Sequence, residues 1–122
     1  MAQLDISLKE AMNIAGAVGV ALVDFDSGML LGSAGGGELD LEVAAAGNTE
    51  VVRAKMNTMQ QLGLKDQIED ILITLGTQYH LIRLVQGNKG QGLFLYLALN
   101  KQQANLAMAR RQLSEIESDL AI

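Results

Sequence analysis

The chain's single histidine, His80, stands between Tyr79 and Leu81, where an imidazole is a conceivable general base. A base needs a nucleophile or an orienting partner. There is no cysteine, no second histidine and no Gly-x-Ser-x-Gly turn, so His80 reads as a structural or surface residue. The run Asp24-Phe25-Asp26-Ser27-Gly28 begins like a calcium loop. Such a loop requires Gly at its sixth position and Glu at its twelfth, and Met29 and Gly35 stand there instead. Asp26-Ser27-Gly28 is therefore turn chemistry. Glu69 and Asp70 are adjacent, and neighbouring strand residues point to opposite faces, so the two carboxyls cannot share one site. Gly32, Gly35, Gly36 and Gly37 precede a helix, a place where phosphates bind, but no Lys-Ser or Lys-Thr follows. Gly87-Asn88-Lys89-Gly90 offers a lysine with no helix behind it. Arg110-Arg111 fits a solvated helix, with Glu115 at the i+4 position from Arg111. No catalytic residue, metal ligand or cofactor is expected.

Composition narrows the function further. At 122 residues one domain is expected, spanning 1–122. The hydrophobic share is 49% and charged residues make up 19%, which suits a packed core and not a disordered tail. Aromatics are only 3%, too few for stacking platforms on single-stranded nucleic acid. The net charge of −5 comes from the first third, where Asp5, Glu10, Asp24, Asp26, Glu38 and Asp40 face only Lys9. Without a basic cluster, neither duplex DNA nor an anionic membrane is an expected partner. The apolar run Ile14–Val23 follows Asp5 and Glu10, the wrong charges for an export signal, and is too short to span a bilayer. The cytoplasm is the expected compartment.

The spacing of apolar residues predicts eight elements. Ser7–Ala15 reads as a helix with Leu8, Ala11, Met12 and Ala15 on one face, a Ser7/Glu10 capping box and Gly16 as its stop. Val18–Phe25 and Met29–Ser33 read as strands joined by Asp26-Ser27-Gly28, a hairpin signal. Gly35–Gly37 reads as a flexible joint. A long helix over Leu39–Leu62 follows, weak at Gly47-Asn48 and stopped by Gly63. Three strands come next, Ile68–Leu75, Tyr79–Val85 and Leu93–Leu99, with a loop at Gly87–Gly92 between the last two. Gln102–Leu120 closes the chain as a helix with Leu106, Ala109, Leu113, Ile116 and Leu120 in one stripe. The strands are apolar on both faces, so both must be covered. The expected fold is an α/β (α+β) three-layer sandwich, with the long helix on one face and the two terminal helices on the other.

The long helix carries three faces. At about 100° per residue, Leu41, Ala45, Val52, Met56, Met59 and Leu62 form a sheet-facing stripe. A second stripe, Ala44, Gly47, Val51, Ala54 and Thr58, is small, and small residues let another helix approach closely. Alanine alone would be ordinary helix-forming surface, but Gly47 and Val51 are poor helix formers. Contact with the same stripe of a second copy supplies a reason for them. Glu42, Glu50, Arg53, Asn57 and Gln60 occupy the third, polar face.

In their order, the segments Ala21–Gly32, Leu41–Lys55, Ile68–Arg83 and Phe94–Arg110 resemble the Roadblock/dynein light chain family, and its bacterial branch most closely. The resemblance implies a profilin-like αββαβββα topology, with a five-stranded antiparallel sheet in the order 2-1-5-4-3. It also implies a homodimer, with Ile68–Leu75 at the sheet edge and the long helices side by side. Asp70, Ile71, Leu72, Ile73 and Thr74 lie in that edge. Left bare it is an aggregation hazard, and pairing with a second copy removes the hazard.

Family members act as adaptors and regulators, and bacterial ones regulate Ras-like GTPases, some as activating proteins, or work with sensor kinases. No catalytic residue carries over. The expected function is a dimeric regulatory or scaffold protein for a small Ras-like GTPase, with Glu42, Glu50, Arg53 and Asn57 as contacts. A small-ligand-sensing module is the alternative.

Overall fold

The computed structural model describes residues 2–86 and 92–120. Its elements run α1 (Ala2–Met12), β1 (Ala17–Asp24), β2 (Met29–Gly35), α2 (Leu41–Gln61), β3 (Asp70–Thr74), β4 (Gln78–Leu84), β5 (Leu93–Asn100) and α3 (Leu106–Ser118). The strands form a five-stranded sheet ordered β2-β1-β5-β4-β3, antiparallel at every pairing. The sandwich expected from the apolar pattern and the strand order implied by the resemblance are both present.

The core follows from the alternation along the inner strands. Val20 and Leu22 of β1, Leu81 of β4 and Leu95, Leu97 and Leu99 of β5 pack with Leu4, Leu8 and Ala11 of α1 and Ala109, Leu113 and Ile116 of α3. On the other face, Ala21, Val23, Ile82, Phe94, Tyr96 and Ala98 pack with Leu41, Ala45 and Val52 of α2. Each fully buried large side chain contributes about 1.5–3 kcal/mol. Two buttresses tie α3 to the β3–β4 side: Arg83 Nε donates to Glu117 Oε1 at 3.2 Å, and Arg110 donates twice to the Asp70 carboxylate, each bond 3.0 Å.

Several local expectations are corrected. Ser7 is buried within α1 and caps nothing, because the helix already runs from Ala2 and Leu4 belongs to its buried face. That helix ends at Met12, with turn bonds from Asn13 and Ile14 back to Glu10 and Ala11. Asp40 caps α2, its carboxylate accepting from the Glu42 and Val43 amides. The helix runs unbroken through Gly47-Asn48, where the Asn48 amide donates to Ala44 O and the Thr49 hydroxyl to Ala45 O. Thr49 is buried in the sheet-facing stripe, which the apolar pattern missed because the residue is polar; Leu62 caps the helix end and is exposed. β3 is shorter than Ile68–Leu75. α3 starts at Leu106 and not Gln102, since Asn105 caps it through Met108 N. The loop Gly87-Asn88-Lys89-Gly90 lies outside the described residues.

The glycine triplet forms a corner. Gly35, Gly36 and Gly37 all have positive φ, and Gly36 N donates to Val18 O at 2.8 Å. This brings Gly36 against Gly19, where an added Cβ would stand 2.9 Å from the Gly36 backbone. The corner aims the chain from the sheet edge into α2.

Two substitutions test this packing. Leu97→Ala is expected to lower unfolding stability by about 2–5 kcal/mol. Gly19→Ala is expected to lower it by about 1–3 kcal/mol, through overpacking at the corner. Denaturant unfolding measures both, and a Gly19→Ala protein as stable as the parent would contradict the tight corner.

Candidate functional site

The two faces of the sheet are not covered equally. α1 packs over β1 and β2 and α3 over β4, but α2 lies mainly over β1 and β2. On the α2 side, the outer strip of β3 and β4 therefore remains partly open. The register places Ile71 opposite Ile82 and Ile73 opposite His80, so these residues share that side of the sheet. Ile71, Ile73, Gln78 and His80 are half-buried there, although their neighbours Ile82 and Tyr96 are buried.

The small stripe of α2 borders this strip. Gly28 of the β1–β2 turn approaches Ala46 and Thr49, which fixes that flank of α2 toward the β2 edge. The stripe Ala44, Gly47, Val51, Ala54 and Thr58, more than a quarter turn away, accordingly faces the β3 side. Ala44 is half-buried and the other four are exposed. Sequence reasoning missed its two ends. Val43 is 67% exposed and Leu62 65%, one helical turn before Gly47 and one after Thr58. Their i,i+4 spacing from the stripe was the available signal. The result is an exposed apolar ridge with a gap in its middle, since a Cβ added at Gly47 meets nothing within 4 Å.

The edge strand divides its residues. Ile71 and Ile73 face the open strip, whereas Asp70, Leu72 and Thr74 turn to the α3 side. Asp70 is held there by Arg110, whose guanidinium is pushed up from its ordinary value by the Asp70 hydrogen bond and charge. The Asp70 side chain is thus engaged within its own chain. On the third face of α2, Glu42, Glu50, Arg53 and Asn57 are all exposed, and no ion pair joins them to other described residues.

His80 is the titratable group set into the open strip. Its Nε2 lies 2.8 Å from Gln78 Oε1, and its Nδ1 lies 3.1 Å from the Tyr96 hydroxyl. The Tyr96 ring meets the imidazole edge-on at 5.3 Å. Burial lowers the His80 pKa and raises that of Tyr96 to about 12, so both are neutral near pH 7. This is a satisfied hydrogen-bonded cluster.

Other chemistry is sparse. A cleft of about 530 Å³ opens between the C-terminal half of α2 and the sheet, lined by Phe25, Met56, Met59, Leu64, Ile68 and Gln86 among others. The Gln86 amide is already spent on the Ile68 and Leu84 carbonyls. Among the described residues, no group of His, Cys, Asp and Glu is placed to hold a metal, and no helix is long and apolar enough to cross a membrane.

Neither protein-family models nor curated protein sequences give a match to this chain. Solved structures do. Myxococcus xanthus MglB is similar over 96% of this chain and 80% of its own, at 20% identity and a TM-score of 0.76. A Roadblock/LC7 domain from Streptomyces avermitilis matches over 94% and 92%, at 13% identity and a TM-score of 0.79. The gliding protein MglB from Thermus thermophilus matches over 98% and 91%, at 15% identity and a TM-score of 0.71. At these identities the likeness establishes the architecture.

The gap at Gly47 yields a prediction. At dilutions where single chains dominate, Gly47→Ala is expected to stabilise the protein by about 1 kcal/mol, the helix-propensity difference. Unfolding curves measure it. A loss of stability under those conditions would mean that the space beside Gly47 is not open.

Proposed function

We propose that this chain, which carries a roadblock-family fold of the bacterial MglB-like kind, is a non-catalytic, dimeric regulatory or scaffold protein that binds a small Ras-like GTPase. One observation carries the reading. The exposed ridge of α2 lies beside a partly open strip of the sheet, so a second copy placed over both would cover two apolar surfaces at once. All described elements pack on one sheet, which supports reading residues 1–122 as one domain.

The ridge suits a two-fold contact. Gly47, Ala54 and Ala44 permit close approach, and Val43, Val51 and Leu62 supply area. At the edge, β3 contributes its outward backbone groups along Asp70–Thr74, with Ile71 and Ile73 beside them; the Asp70 carboxylate stays with Arg110. Pairing two β3 edges joins the sheets and closes the interface.

Two neighbouring α2 helices would then present Glu42, Glu50, Arg53 and Asn57 twice, on a composite surface. The resemblance to the Roadblock family supports a GTPase as the partner. Such a platform regulates by binding one conformation of its partner's switch segments better than another, since differential affinity alone shifts an equilibrium. A cytoplasmic setting and membership of a sensor-kinase pathway agree with this reading.

The cleft beneath the end of α2 favours the second reading, a small-ligand-sensing module, because its volume falls in the usual range for small-molecule sites. Stabilisation by a metabolite in a thermal-shift screen, with no protein partner bound, would favour it.

Sedimentation equilibrium tests the dimer. The expected mass is twice the 13.0 kDa of one chain, and the paired change Gly47→Gln with Ala54→Gln is expected to weaken association by at least about tenfold. An unchanged dimer in that variant would remove α2 from the contact. Pull-down from native cytoplasm tests the partner: the parent should recover a GTPase, and Glu42→Lys with Arg53→Glu should lose it while remaining dimeric. No GTPase recovered in either nucleotide state would contradict the proposed function.

A further inference from the structure

We infer that the Gln78–His80–Tyr96 cluster makes self-association of this chain sensitive to mild acid, the dimer holding His80 neutral and the separated chain releasing it to take up a proton. The inference rests on the dimer reading given above. It concerns a part of the proposed interface that neither the α2 ridge nor the β3 backbone explains: a polar, ionisable group set among Ile71, Ile73 and Ile82.

The hydrogen bonds fit one protonation state. With the proton on Nε2, His80 donates to Gln78 Oε1 and its Nδ1 accepts from the Tyr96 hydroxyl. A second proton on Nδ1 would face that hydroxyl, which must then accept and find another acceptor for its own proton. In the single chain His80 is half-buried, so water can solvate the imidazolium from the open side. A second copy laid over the strip would take that water away and raise the cost of the charge.

The surroundings offer little compensation. From β5 the facing groups are the Tyr96 hydroxyl and Ala98, and from β3 the cross-strand neighbour is Ile73. α2 turns Ala44, Asn48 and Val51 to this side, with exposed Lys55 as the next ionisable residue along that flank. In the loop ahead of α2, the Glu38 carboxylate shares a shallow recess with Gln78. It is exposed, so water screens it in the single chain.

The sign follows from linkage. Burial already holds His80 below the ordinary value of 6.5 in the single chain, and a second copy would lower it further; between those two values separated chains bind more protons than associated ones, so dimerisation weakens as pH falls through a window lying below 6.5. With one histidine per chain, the histidines take up at most two protons per dissociation.

The test uses the whole chain at fixed ionic strength. Sedimentation at pH 7.5, 6.5, 5.5 and 5.0 is expected to show a dimer dissociation constant that rises below pH 6.5 and is at least about threefold larger at pH 5.0 than at pH 7.5. His80→Gln is expected to flatten that dependence. The single imidazole proton signal gives a readout in the unaltered protein: its apparent pKa should fall as protein concentration rises. A dimer whose dissociation constant ignores pH, or an imidazole titration that ignores concentration, overturns the inference and leaves the dimer reading standing. A chain that sediments singly at every pH overturns both.

Discussion

A sheet apolar on both faces needs cover on both, and that constraint organises this molecule. β5 shows it most clearly: Leu93, Leu95, Leu97 and Leu99 point to one side, and Phe94, Tyr96 and Ala98 to the other. Two helices cover the first face, over β1 and β2 and again over β4. One helix serves the second face, and it lies toward the β2 edge. The imbalance leaves a half-buried strip at β3 and β4, bordered by an apolar ridge on α2. What covers that strip decides how the chain associates.

The small residues of α2 acquire a meaning from this placement. In isolation, alanine in a helix needs no explanation. Gly47 and Val51 weaken the helix; the space beside Gly47 is empty within the chain, and Val51 remains 37% exposed. They stand on the flank away from Gly28 and beside the uncovered part of the sheet. A cost in local helix stability is thus located where association can offset it. The same logic applies to His80, whose two ring nitrogens are satisfied in the neutral form at the rim of the strip.

Sequence patterns exposed the layers because apolar periodicity is a direct record of burial. The both-sided strands and the single-sided final helix led to the sandwich without any reference to known proteins. The strand order came instead from the resemblance, since antiparallel patterns do not by themselves say which strand lies beside which. Local errors have local causes. Ser7 and Glu10 have the spacing of a capping box, but Leu4 already belongs to the buried helical face, so packing overrode the capping signal. Gln102 and Gln103 favour a helix, yet Asn105 supplies the cap and fixes the start at Leu106. At the candidate site, Ala44, Gly47, Val51, Ala54 and Thr58 were legible from spacing. The internal use of Asp70 was not, because its partner Arg110 lies 40 residues away in the chain. The cluster of His80 with Tyr96 was also hidden, since it depends on the register between β4 and β5.

The chain contains no cysteine, so cysteines placed singly give an unambiguous map of contact. The most direct test is mild oxidation of Gly47→Cys, Val51→Cys, Ala54→Cys and Arg53→Cys proteins, followed by non-reducing electrophoresis. A disulfide forms only where the two Cα atoms come within about 7 Å. Crosslinked pairs are expected from at least one of the three ridge positions and none from Arg53→Cys, which lies well off the ridge. Single chains throughout, or crosslinking at Arg53→Cys alone, would contradict self-association through this face of α2.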